Sequence, residues 1–352
     1  MTRSFPPPPV FLLPKWEEYY HQEGFAMFVY KPQKLHWFLY LLFFALVLLS
    51  AFFTYTSKFN LTLHKLFTVR NCKCSHCTSE LGESEWFDKR YVPTMSPILT
   101  KSNYTIPEKS YKWWLSLQHE QNPSNMTKLM EELFNLFPGD NVLMDQGPNR
   151  CRTCAVVGNS GNLKGSKSGP SIDASNLVMR MNRAQTTGYE ADVGTKTTHH
   201  FMYPESAKNL ASNVSLVLIP FKVLDIKWLI SAFTTGQITR TYVPVLRKIN
   251  ATKDKVLVYN PHFLKYVHEN WNERHGRYCS TGMLVVAFAL HVCDEVNVYG
   301  FGADSFGNWH HYWEKNAGAG AFRRTGVHNA DFEANVTKSL ANIGKIKFFK
   351  GI

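Results

Sequence analysis

An uninterrupted apolar run near the start of the chain constrains its architecture more than any other feature of the sequence. Residues 35–55, LHWFLYLLFFALVLLSAFFTY, contain no Lys, Arg, Asp or Glu. An α-helix needs about 20 residues to cross the hydrocarbon core of a bilayer, and this run has that length. Trp37, Tyr40 and Tyr55 lie near its ends, where amphipathic aromatic rings favour the membrane interface. The run therefore predicts one transmembrane helix.

The position of the run indicates a retained anchor. A cleaved signal peptide has a shorter apolar core that begins nearer the start, whereas residues 1–34 precede this one. These residues include FPPPP and show no periodic apolar pattern, so they predict a cytoplasmic tail with polyproline character. Beyond the anchor, residues 56–70 predict a short stem and residues 71–352 a single folded domain.

The chain downstream of the anchor has the features of a lumenal segment. Positive charges on the two sides of the run balance, so they give no orientation. Better evidence comes from sequons and cysteines that all follow the anchor, at Asn60, Asn103, Asn125, Asn213, Asn250 and Asn335 and at Cys72, Cys74, Cys77, Cys151, Cys154, Cys279 and Cys293. An oxidising lumen would pair six of these seven cysteines. The CxxC spacing of Cys151 and Cys154 leaves a zinc site or a redox pair open as alternatives.

The net charge of +12 favours an anionic partner, which could be a nucleic acid, an acidic lipid surface or an acidic small substrate. Nucleic-acid binders concentrate Lys and Arg in stripes or interleave them with stacking aromatics. Here the basic residues are spread along the chain. The charge pattern therefore argues against a nucleic-acid partner.

Short apolar runs bounded by Gly, Pro and Asn alternate with amphipathic stretches in the folded part. The apolar runs predict buried strands at residues 154–158, 176–181, 214–220, 255–260, 295–301 and 345–350. The amphipathic stretches predict helices at residues 127–137, 225–234, 261–271 and 281–291. This alternation is typical of an α/β domain with a mostly parallel sheet, in which ligands bind at the carboxyl ends of the strands.

A Gly- and Asn-rich turn follows the first predicted strand, in the sequence AVVGNSGNLKGS. Glycine lets the backbone approach an anion closely, and Asn side chains can hold sugar or phosphate oxygens. The pattern is neither GxGxxG nor a Walker A sequence, so it does not predict a dinucleotide or triphosphate site. Taken alone, such a turn is more often structural than functional.

Histidines cluster with aromatic residues near the end of the chain, in FGADSFGNWHHYWE and TGVHNADFE. Histidine is the side chain most easily tuned to act as a base near neutral pH, which makes His311 and His328 candidates. Singly, each is better explained as an ordinary hydrogen-bonded histidine, but Trp309, Tyr312 and Trp313 beside them are sugar-stacking residue types. The chain contains no D-x-D and no HExxH sequence, so no metal site is predicted.

Four segments resemble the sialylmotifs of animal sialyltransferases, in the order and spacing of that family. Residues 151–200 resemble the large motif and residues 277–302 the small one, while HHYWE at 310–314 and HNADFE at 328–333 resemble the third and very small motifs. The likeness extends from about residue 72 to residue 352. WWLSLQ at 113–118 is similar to the branch that sialylates galactose β1,3-linked to N-acetylgalactosamine.

The resemblance implies a Rossmann-like, GT-A-variant α/β fold and a metal-free, inverting transfer of sialic acid from CMP-sialic acid to the 3-hydroxyl of galactose. It also implies a single-pass type II protein of the Golgi membrane with a lumenal catalytic domain. His328 would be the general base and His311 a phosphate ligand. The remaining donor-binding residues would be Asn159, Ser160, Asn182, Ser280, Thr281, Gly282 and Gly302, and the acceptor would contact Gln118, Tyr242, Tyr278 and Trp309.

The chemistry suits these residue types. The ring oxygen of sialic acid already favours a cation at the anomeric carbon, and CMP leaves readily if His and Tyr donors meet its phosphate charge. A neutral imidazole can then activate the sugar hydroxyl. The resemblance further implies disulfides Cys72–Cys77, Cys74–Cys151 and Cys154–Cys293, with Cys279 as a free thiol near the donor site.

Two alternatives to this function stay open. The motifs are shared across linkages, so the acceptor could be galactose β1,4-linked to N-acetylglucosamine, or the linkage α2,6. A non-catalytic type II sugar-binding receptor on the same fold is the other alternative, and the presence of both His311 and His328 speaks against it. The sequence does not decide between a glycoprotein and a glycolipid acceptor, or between a monomer and a homodimer.

Overall fold

The computed structural model describes residues 32–67, 71–118, 125–139, 143, 145, 147–303, 307–315 and 326–352. The chain divides into two compact units, Met1–Thr68 and Val69–Ile352. Most of the predicted tail, at residues 1–31, and the last part of the predicted stem, at 68–70, lie outside the described residues. The limits of the tail, anchor, stem and catalytic domain stay predictions.

The first unit contains one long helix, α1 at Pro32–Phe67. Its stretch His36–Thr56 is long enough and apolar enough to cross a membrane. The hydroxyls of Ser50 and Thr54 donate to the carbonyls of Val47 and Ala51, so both hydroxyls are hydrogen-bonded within the helix. The helix continues past the predicted anchor, so residues 56–67 of the predicted stem are helical.

The second unit is built on one eight-stranded sheet, and this confirms the predicted α/β fold with a mostly parallel sheet. The strand order is β1-β6-β5-β4-β3-β2-β7-β8, and only β1 runs antiparallel to its neighbour. The strands are β1 Ile98–Leu99, β2 Thr153–Val157, β3 Leu177–Met181, β4 His199–Met202, β5 Ser215–Leu218, β6 Val256–Tyr259, β7 Glu295–Tyr299 and β8 Lys347–Phe349.

Helices cover the sheet and connect its strands. They are α2 Glu85–Asp88, α3 Glu108–Ser116, α4 Met126–Leu136, α5 Gly169–Asp173, α6 Glu190–Val193, α7 Val223–Phe233, α8 Pro261–Tyr266, α9 Thr281–Val292 and α10 Ala330–Asn342. Helix α9 is apolar on every side because it is buried against β2, β3 and β7. The predicted helix at 261–271 is α-helical only in α8, which a π-helical turn at Val267–Trp271 continues.

Side chains that alternate along the strands build a core on each face of the sheet. Val156 and Met179 belong to the larger core, which includes α9, whereas Ala155 and Val178 belong to a smaller core on the opposite face. All six predicted strands are present. The two that sequence analysis missed are β1, which has two residues, and β4, whose apolar pattern two histidines interrupt.

The histidines of β4 are buried and neutral. The Nδ1 of His199 is 2.9 Å from the hydroxyl of Thr198, and the Nε2 of His200 is 2.6 Å from the main-chain oxygen of Asn182. Burial lowers the pKa of both imidazoles to about 4. Local hydrogen bonds thus let polar residues occupy a central strand that hydrophobic patterning does not predict.

Three disulfides stabilise the second unit, at Cys72–Cys77, Cys74–Cys151 and Cys154–Cys293. These are the pairs that the family resemblance implies. Cys151 and Cys154 have different partners, so the structure holds neither a CxxC disulfide nor a free CxxC pair. Cys279 is the free cysteine, and it is fully buried in the larger core.

Candidate active site

The predicted donor-binding residues lie where the strand order reverses. From β2 the chain proceeds through β3, β4, β5 and β6 on one side, and β7 then returns to the other side of β2. Asn159 and Ser160 follow β2, and Gly302 follows β7, so they share the carboxyl edge of two adjacent parallel strands. Ligands of open α/β sheets bind at such a switch point.

The loops after β2 and β7 run against each other. The N–H of Gly158 donates to the oxygen of Tyr299 at 2.8 Å, and the N–H of Ser160 donates to that of Gly300 at 3.0 Å. A Cβ on Gly158 would lie 2.3 Å from the Gly300 oxygen, so no other residue fits there without a backbone shift. The glycine in the turn AVVGN is therefore required by packing between the two loops.

His311 is held against the loop after β2. The N–H of Gly161 donates to the oxygen of His310 at 2.8 Å, and the N–H of Tyr312 donates to that of Asn159 at 3.1 Å. The Nδ1 of His311 is 2.8 Å from a carboxylate oxygen of Glu314. Because a carboxylate accepts, Nδ1 carries a proton and Nε2 is the ring nitrogen left for a ligand.

The ring of His311 is fixed by stacking as well as by hydrogen bonding. It lies 4.5 Å from the ring of Trp313, centroid to centroid, at an interplanar angle of 13°. Trp309, which the resemblance assigns to the acceptor, is partly buried and precedes His311 by two residues. The aromatic cluster at 309–313 thus orients a histidine beside the loop that carries Asn159 and Ser160.

Two asparagines at this edge have unsatisfied side-chain oxygens. Asn159 donates through Nδ2 to the oxygen of Met181 at 3.3 Å, and Asn182 has a left-handed backbone with φ of 56°. The Oδ1 atoms of both are buried without a hydrogen-bond partner in the part of the chain that the structure describes. A buried acceptor of this kind costs about 1–3 kcal/mol unless it is paired, so both suit a ligand with N–H or O–H donors.

The start of helix α9 supplies backbone donors at the same edge. Ser280 caps the helix, since its Oγ accepts from the N–H of Met283 at 3.2 Å. The first N–H groups of a helix and its dipole favour an anion, which makes Thr281 and Gly282 suited to a phosphate. A Cβ on Gly282 would lie 2.9 Å from the ring of Phe301, so α9 begins directly against the segment after β7.

Ser280 is also bound to a buried carboxylate. Its N–H donates to an oxygen of Glu333 at 2.8 Å, and its hydroxyl donates to the other oxygen. Burial raises the pKa of Glu333 to about 7, although both hydrogen bonds lower it. The hydroxyl of Ser280 therefore has protein partners on two sides. Glu333 ties the start of α10 to the start of α9.

His328 lies beside Tyr278 just before α10. Its Nδ1 is 2.9 Å from the main-chain oxygen of Tyr278, and the two rings meet edge to face at 5.2 Å. A carbonyl only accepts, so Nδ1 donates, and Nε2 carries the lone pair of the neutral ring. Burial lowers the pKa of His328, and Arg277 lowers it further. A neutral imidazole in a fixed tautomer is what a general base requires.

Three of the predicted acceptor residues are connected by contacts. The Nε2 of Gln118 donates to the hydroxyl of Tyr278 at 3.5 Å. The ring of Tyr278 packs 4.9 Å from that of Phe221, and the ammonium of the next residue, Lys222, lies 4.9 Å from the ring centre of Tyr242. Tyr242 itself is 58% exposed. A chain of contacts through Phe221 and Lys222 thus connects Gln118, Tyr278 and Tyr242, and Tyr278 in turn contacts His328.

Sequence analysis missed several residues that organise this site. Glu314 orients His311, and Glu333 binds Ser280, although both are acidic residues within the motifs already noted. Lys222 forms buried ion pairs with Glu205 at 3.0 Å and Asp225 at 2.5 Å. The acidic partners lie 17 residues before and 3 residues after Lys222, and no local pattern links the three.

Known proteins match both the sequence and the structure. The profile of glycosyltransferase family 29 (sialyltransferase) matches residues 98–345. CMP-N-acetylneuraminate-beta-galactosamide-alpha-2,3-sialyltransferase 1 of Gallus gallus is 62% identical over 298 residues, which cover 84% of this chain and 87% of that protein. The human protein of the same name is 55% identical over 82% of this chain and 85% of its own length.

Solved structures give the same result. A mammalian sialyltransferase crystal structure has a TM-score of 0.76 and 55% identity, covering 80% of this chain and 100% of that chain. A second, in complex with Gal-beta-1-3GalNAc-ortho-nitrophenol, has a TM-score of 0.75 and 54% identity with the same coverage. The chain therefore belongs to glycosyltransferase family 29, the sialyltransferases.

Proposed function

We propose that this chain transfers sialic acid from CMP-sialic acid to the 3-hydroxyl of galactose in Gal-β1,3-GalNAc. The observation that carries the proposal is the continuity between a base and an anion-binding edge. His328 contacts Tyr278, which lies two residues before Ser280, the cap of α9. The start of α9 packs against Phe301 in the segment after β7, and the oxygen of Gly300 in the same segment accepts from the N–H of Ser160. The loop that carries Ser160 in turn binds the main chain beside His311. The names of the relatives support the donor and linkage, and the acceptor bound to a solved relative supports the disaccharide.

The donor half of the site is assigned to the carboxyl edge of β2 and β7. Asn159 and Asn182 would receive the donors of the nucleoside, since their buried oxygens are unpaired in the described part of the chain. The backbone at Ser160, Thr281, Gly282 and Gly302 would surround the phosphate. His311 would act as an imidazolium, with Nδ1 donating to Glu314 and Nε2 donating to the phosphate, so that negative charge on the leaving group is met by a positioned cation.

The acceptor half completes the reaction. Gln118, Tyr242, Tyr278 and Trp309 would hold the disaccharide with its galactose 3-hydroxyl at His328. The Nε2 of His328 takes the hydroxyl proton while that oxygen forms a bond to the anomeric carbon of sialic acid. The bond from this carbon to the CMP phosphate oxygen breaks, and CMP leaves with the electron pair. Attack on the face opposite to CMP inverts the anomeric centre.

We assign no metal to this reaction. Phosphate charge would be met by His311 and by the backbone donors of α9, and the sequence offers no D-x-D segment for a cation. We also place the catalytic domain in the Golgi lumen, with α1 as a signal anchor. The apolar stretch of α1 and the three disulfides, which form in oxidising compartments, support this location.

The decisive experiment uses the full-length chain in detergent with CMP-sialic acid and two acceptors, Gal-β1,3-GalNAc and Gal-β1,4-GlcNAc. We expect faster transfer to the first and an α2,3 linkage in the product, determined by NMR, with activity retained after chelation by EDTA. Faster transfer to the second acceptor, or an α2,6 product, would show that the acceptor assignment is wrong. Binding of both sugars without turnover would identify a receptor instead.

A further inference from the structure

A buried cluster of charges lies at the carboxyl ends of β4 and β5, and no step of the proposed transfer uses it. Glu205 lies in the 3₁₀ turn after β4, and Lys222 and Asp225 lie after β5, at the start of α7. The side chains of all three are buried. Because β4 and β5 run parallel to β2 and β7, the cluster lies at the same edge of the sheet as the proposed donor site.

Stability alone is a weak reason for such a cluster. Removing charges from water offsets most of the attraction between them, and apolar replacements of buried ion pairs are often neutral or stabilising. The ammonium of Lys222 pairs with Asp225 at 2.5 Å and with Glu205 at 3.0 Å. Asp225 is held within its own turn, where it accepts from the N–H of Phe221 at 2.8 Å. Glu205 instead connects to a distant segment, because its Oε1 accepts from the hydroxyl of Thr241.

Thr241 belongs to the loop 239–245, which closes on itself at its base. The N–H of Val245 donates to the oxygen of Thr239 at 2.9 Å. At the tip, Tyr242 and Val243 are exposed. Hydrophobic burial therefore does not fix the tip of this loop, and polar contacts must set its position.

Two contacts join the tip of the loop to the charge cluster. The first is the hydrogen bond from Thr241 to Glu205. The second is the ammonium of Lys222, which the same Oε1 of Glu205 binds and which lies 4.9 Å from the ring centre of Tyr242, within the range of a cation–π contact. Burial raises the pKa of Tyr242, and the charge of Glu205 raises it further, so the phenol stays protonated as a hydrogen-bond donor.

We propose that Glu205 is a positioning residue for the acceptor, which holds the ring of Tyr242 in place through Thr241 and Lys222. Its carboxylate is buried among protein partners, so it acts through Tyr242 rather than on the sugar. This inference rests on the proposed function, which assigns Tyr242 to the acceptor. A loosened loop leaves the base His328 untouched, so the KM for the acceptor should change more than kcat.

The test is steady-state kinetics of the full-length chain in a nonionic detergent, with CMP-sialic acid at saturation and Gal-β1,3-GalNAc varied. Thr241→Val keeps the shape of the side chain and removes its hydrogen bond to Glu205. We expect it to raise the acceptor KM by about three- to tenfold, with kcat within about twofold of the wild-type value. Glu205→Gln should raise KM as well, because a hydrogen bond to a charged oxygen is the stronger one.

Thr239→Val is the matched control, because it makes the same substitution at an exposed position of the same loop and should leave KM and kcat unchanged. Thermal unfolding and CMP affinity, measured by calorimetry, check the fold and should be unaltered in Thr241→Val. If Glu205→Gln does not fold, Thr241→Val still tests the proposal, since it leaves the ion pairs in place. An unchanged acceptor KM in Thr241→Val would overturn the proposal.

A double-mutant cycle with Tyr242→Ala separates positioning from a general structural role. We expect Tyr242→Ala to raise the acceptor KM, and Thr241→Val to add no further increase in that background. The proposal is wrong if Thr241→Val raises KM equally in both backgrounds, or if Tyr242→Ala leaves KM unchanged. The cycle uses whichever disaccharide the wild-type chain prefers in the two-acceptor experiment, so failure of the acceptor assignment stays distinct from failure of the loop contact.

Discussion

The Nδ1 of His328 lies 2.9 Å from the main-chain oxygen of Tyr278, a bond that fixes the tautomer of the proposed base. The backbone oxygen of Tyr278 thus helps to orient this imidazole. Burial lowers the pKa of this imidazole, the hydrogen bond to Tyr278 raises it, and the charge of Arg277 lowers it, so that the net shift is downward and the neutral ring is favoured. The geometry suits a residue that must accept a proton from a sugar hydroxyl.

Removal of this base should affect turnover more than binding. We expect His328→Ala to lower kcat by about 10²–10⁴-fold, because a positioned base contributes that much to activation of an alcohol. CMP affinity, measured by calorimetry, should be unchanged. His76→Ala, at an exposed histidine in the first disulfide loop, is the matched control. Near wild-type turnover in folded His328→Ala would require a different base.

The pH profile should report the same residue. A base must be unprotonated, so kcat/KM falls as pH drops through its pKa. Because burial lowers the pKa of His328 from 6.5, the acid limb of the profile should lie below pH 6.5. The limb should disappear from the residual activity of His328→Ala. A limb at or above pH 6.5 in the wild-type chain would contradict this assignment.

His311 should affect the donor as well as turnover. Loss of a hydrogen bond to a charged phosphate is expected to weaken CMP binding by about 10- to 100-fold in His311→Ala. Glu314→Gln keeps an acceptor for Nδ1 but removes the charge of a half-exposed carboxylate. We expect this variant to bind CMP about two- to fivefold more weakly than the wild-type chain. Calorimetry with CMP measures both. Unaltered CMP affinity in His311→Ala would remove this residue from the donor site.

Glu333 should make stability depend on pH. Burial raises its pKa from 4.5 to about 7, so between these values the folded chain binds more protons than the unfolded chain. The free energy of unfolding should therefore fall as pH rises from about 4.5 to about 7. In Glu333→Gln the free energy of unfolding should fall less over this pH interval, by a difference of at most about 3 kcal/mol.

Urea unfolding of the full-length chain at pH 5 and pH 7.5 measures the Glu333 effect. Asp225 is the matched comparison, because burial raises its pKa from 3.8 to about 7 and gives a slope of the same sign. In the wild-type chain both carboxyls contribute to the pH dependence of the free energy of unfolding. Asp225→Asn and Glu333→Gln should therefore each make that dependence weaker. An unchanged slope in Glu333→Gln would show that this carboxyl ionises alike in both states.

Cys279 should be chemically inert in the folded chain. The resemblance suggested a free thiol near the donor site, but the side chain is fully buried and burial raises its pKa well above the ordinary value. We expect iodoacetamide to label no cysteine in the native protein and one in the unreduced, urea-unfolded protein. Labelling of the native chain, or of more than one cysteine after unfolding, would contradict this arrangement of thiols and disulfides.

Much of the fold could be predicted because hydrophobic patterning reports burial. All six predicted strands are present, and five of them are apolar runs that the sheet largely buries. The sixth, β8, lies at the edge of the sheet and is exposed at Lys347 and Phe349. Strand β4 could not be predicted this way, because hydrogen bonds to Thr198 and Asn182 make His199 and His200 compatible with burial. The helical continuation of α1 beyond Tyr55 was likewise missed, because polar residues there end the apolar pattern.

Only the residues of the proposed site that belong to local sequence motifs could be predicted from the sequence. The resemblance predicts roles for His311 and His328, but neither it nor the residue pattern indicated that Glu314 and a backbone oxygen bind their rings. The cluster of Lys222, Glu205 and Asp225 arises from packing between distant segments. Such contacts depend on strand order, which apolar runs do not encode.

The disulfide between Cys154 and Cys293 also has a consequence for biosynthesis. Its two cysteines are 139 residues apart, so at about 5–20 residues per second the ribosome needs roughly 7–28 s to deliver the second after the first. Throughout that interval Cys154 has been synthesised without its partner, and it lies three positions from Cys151. A premature bond between the two would also deprive Cys74 of its partner. The yield of active enzyme should therefore depend on a thiol-exchange catalyst that reopens such bonds while the chain is still emerging.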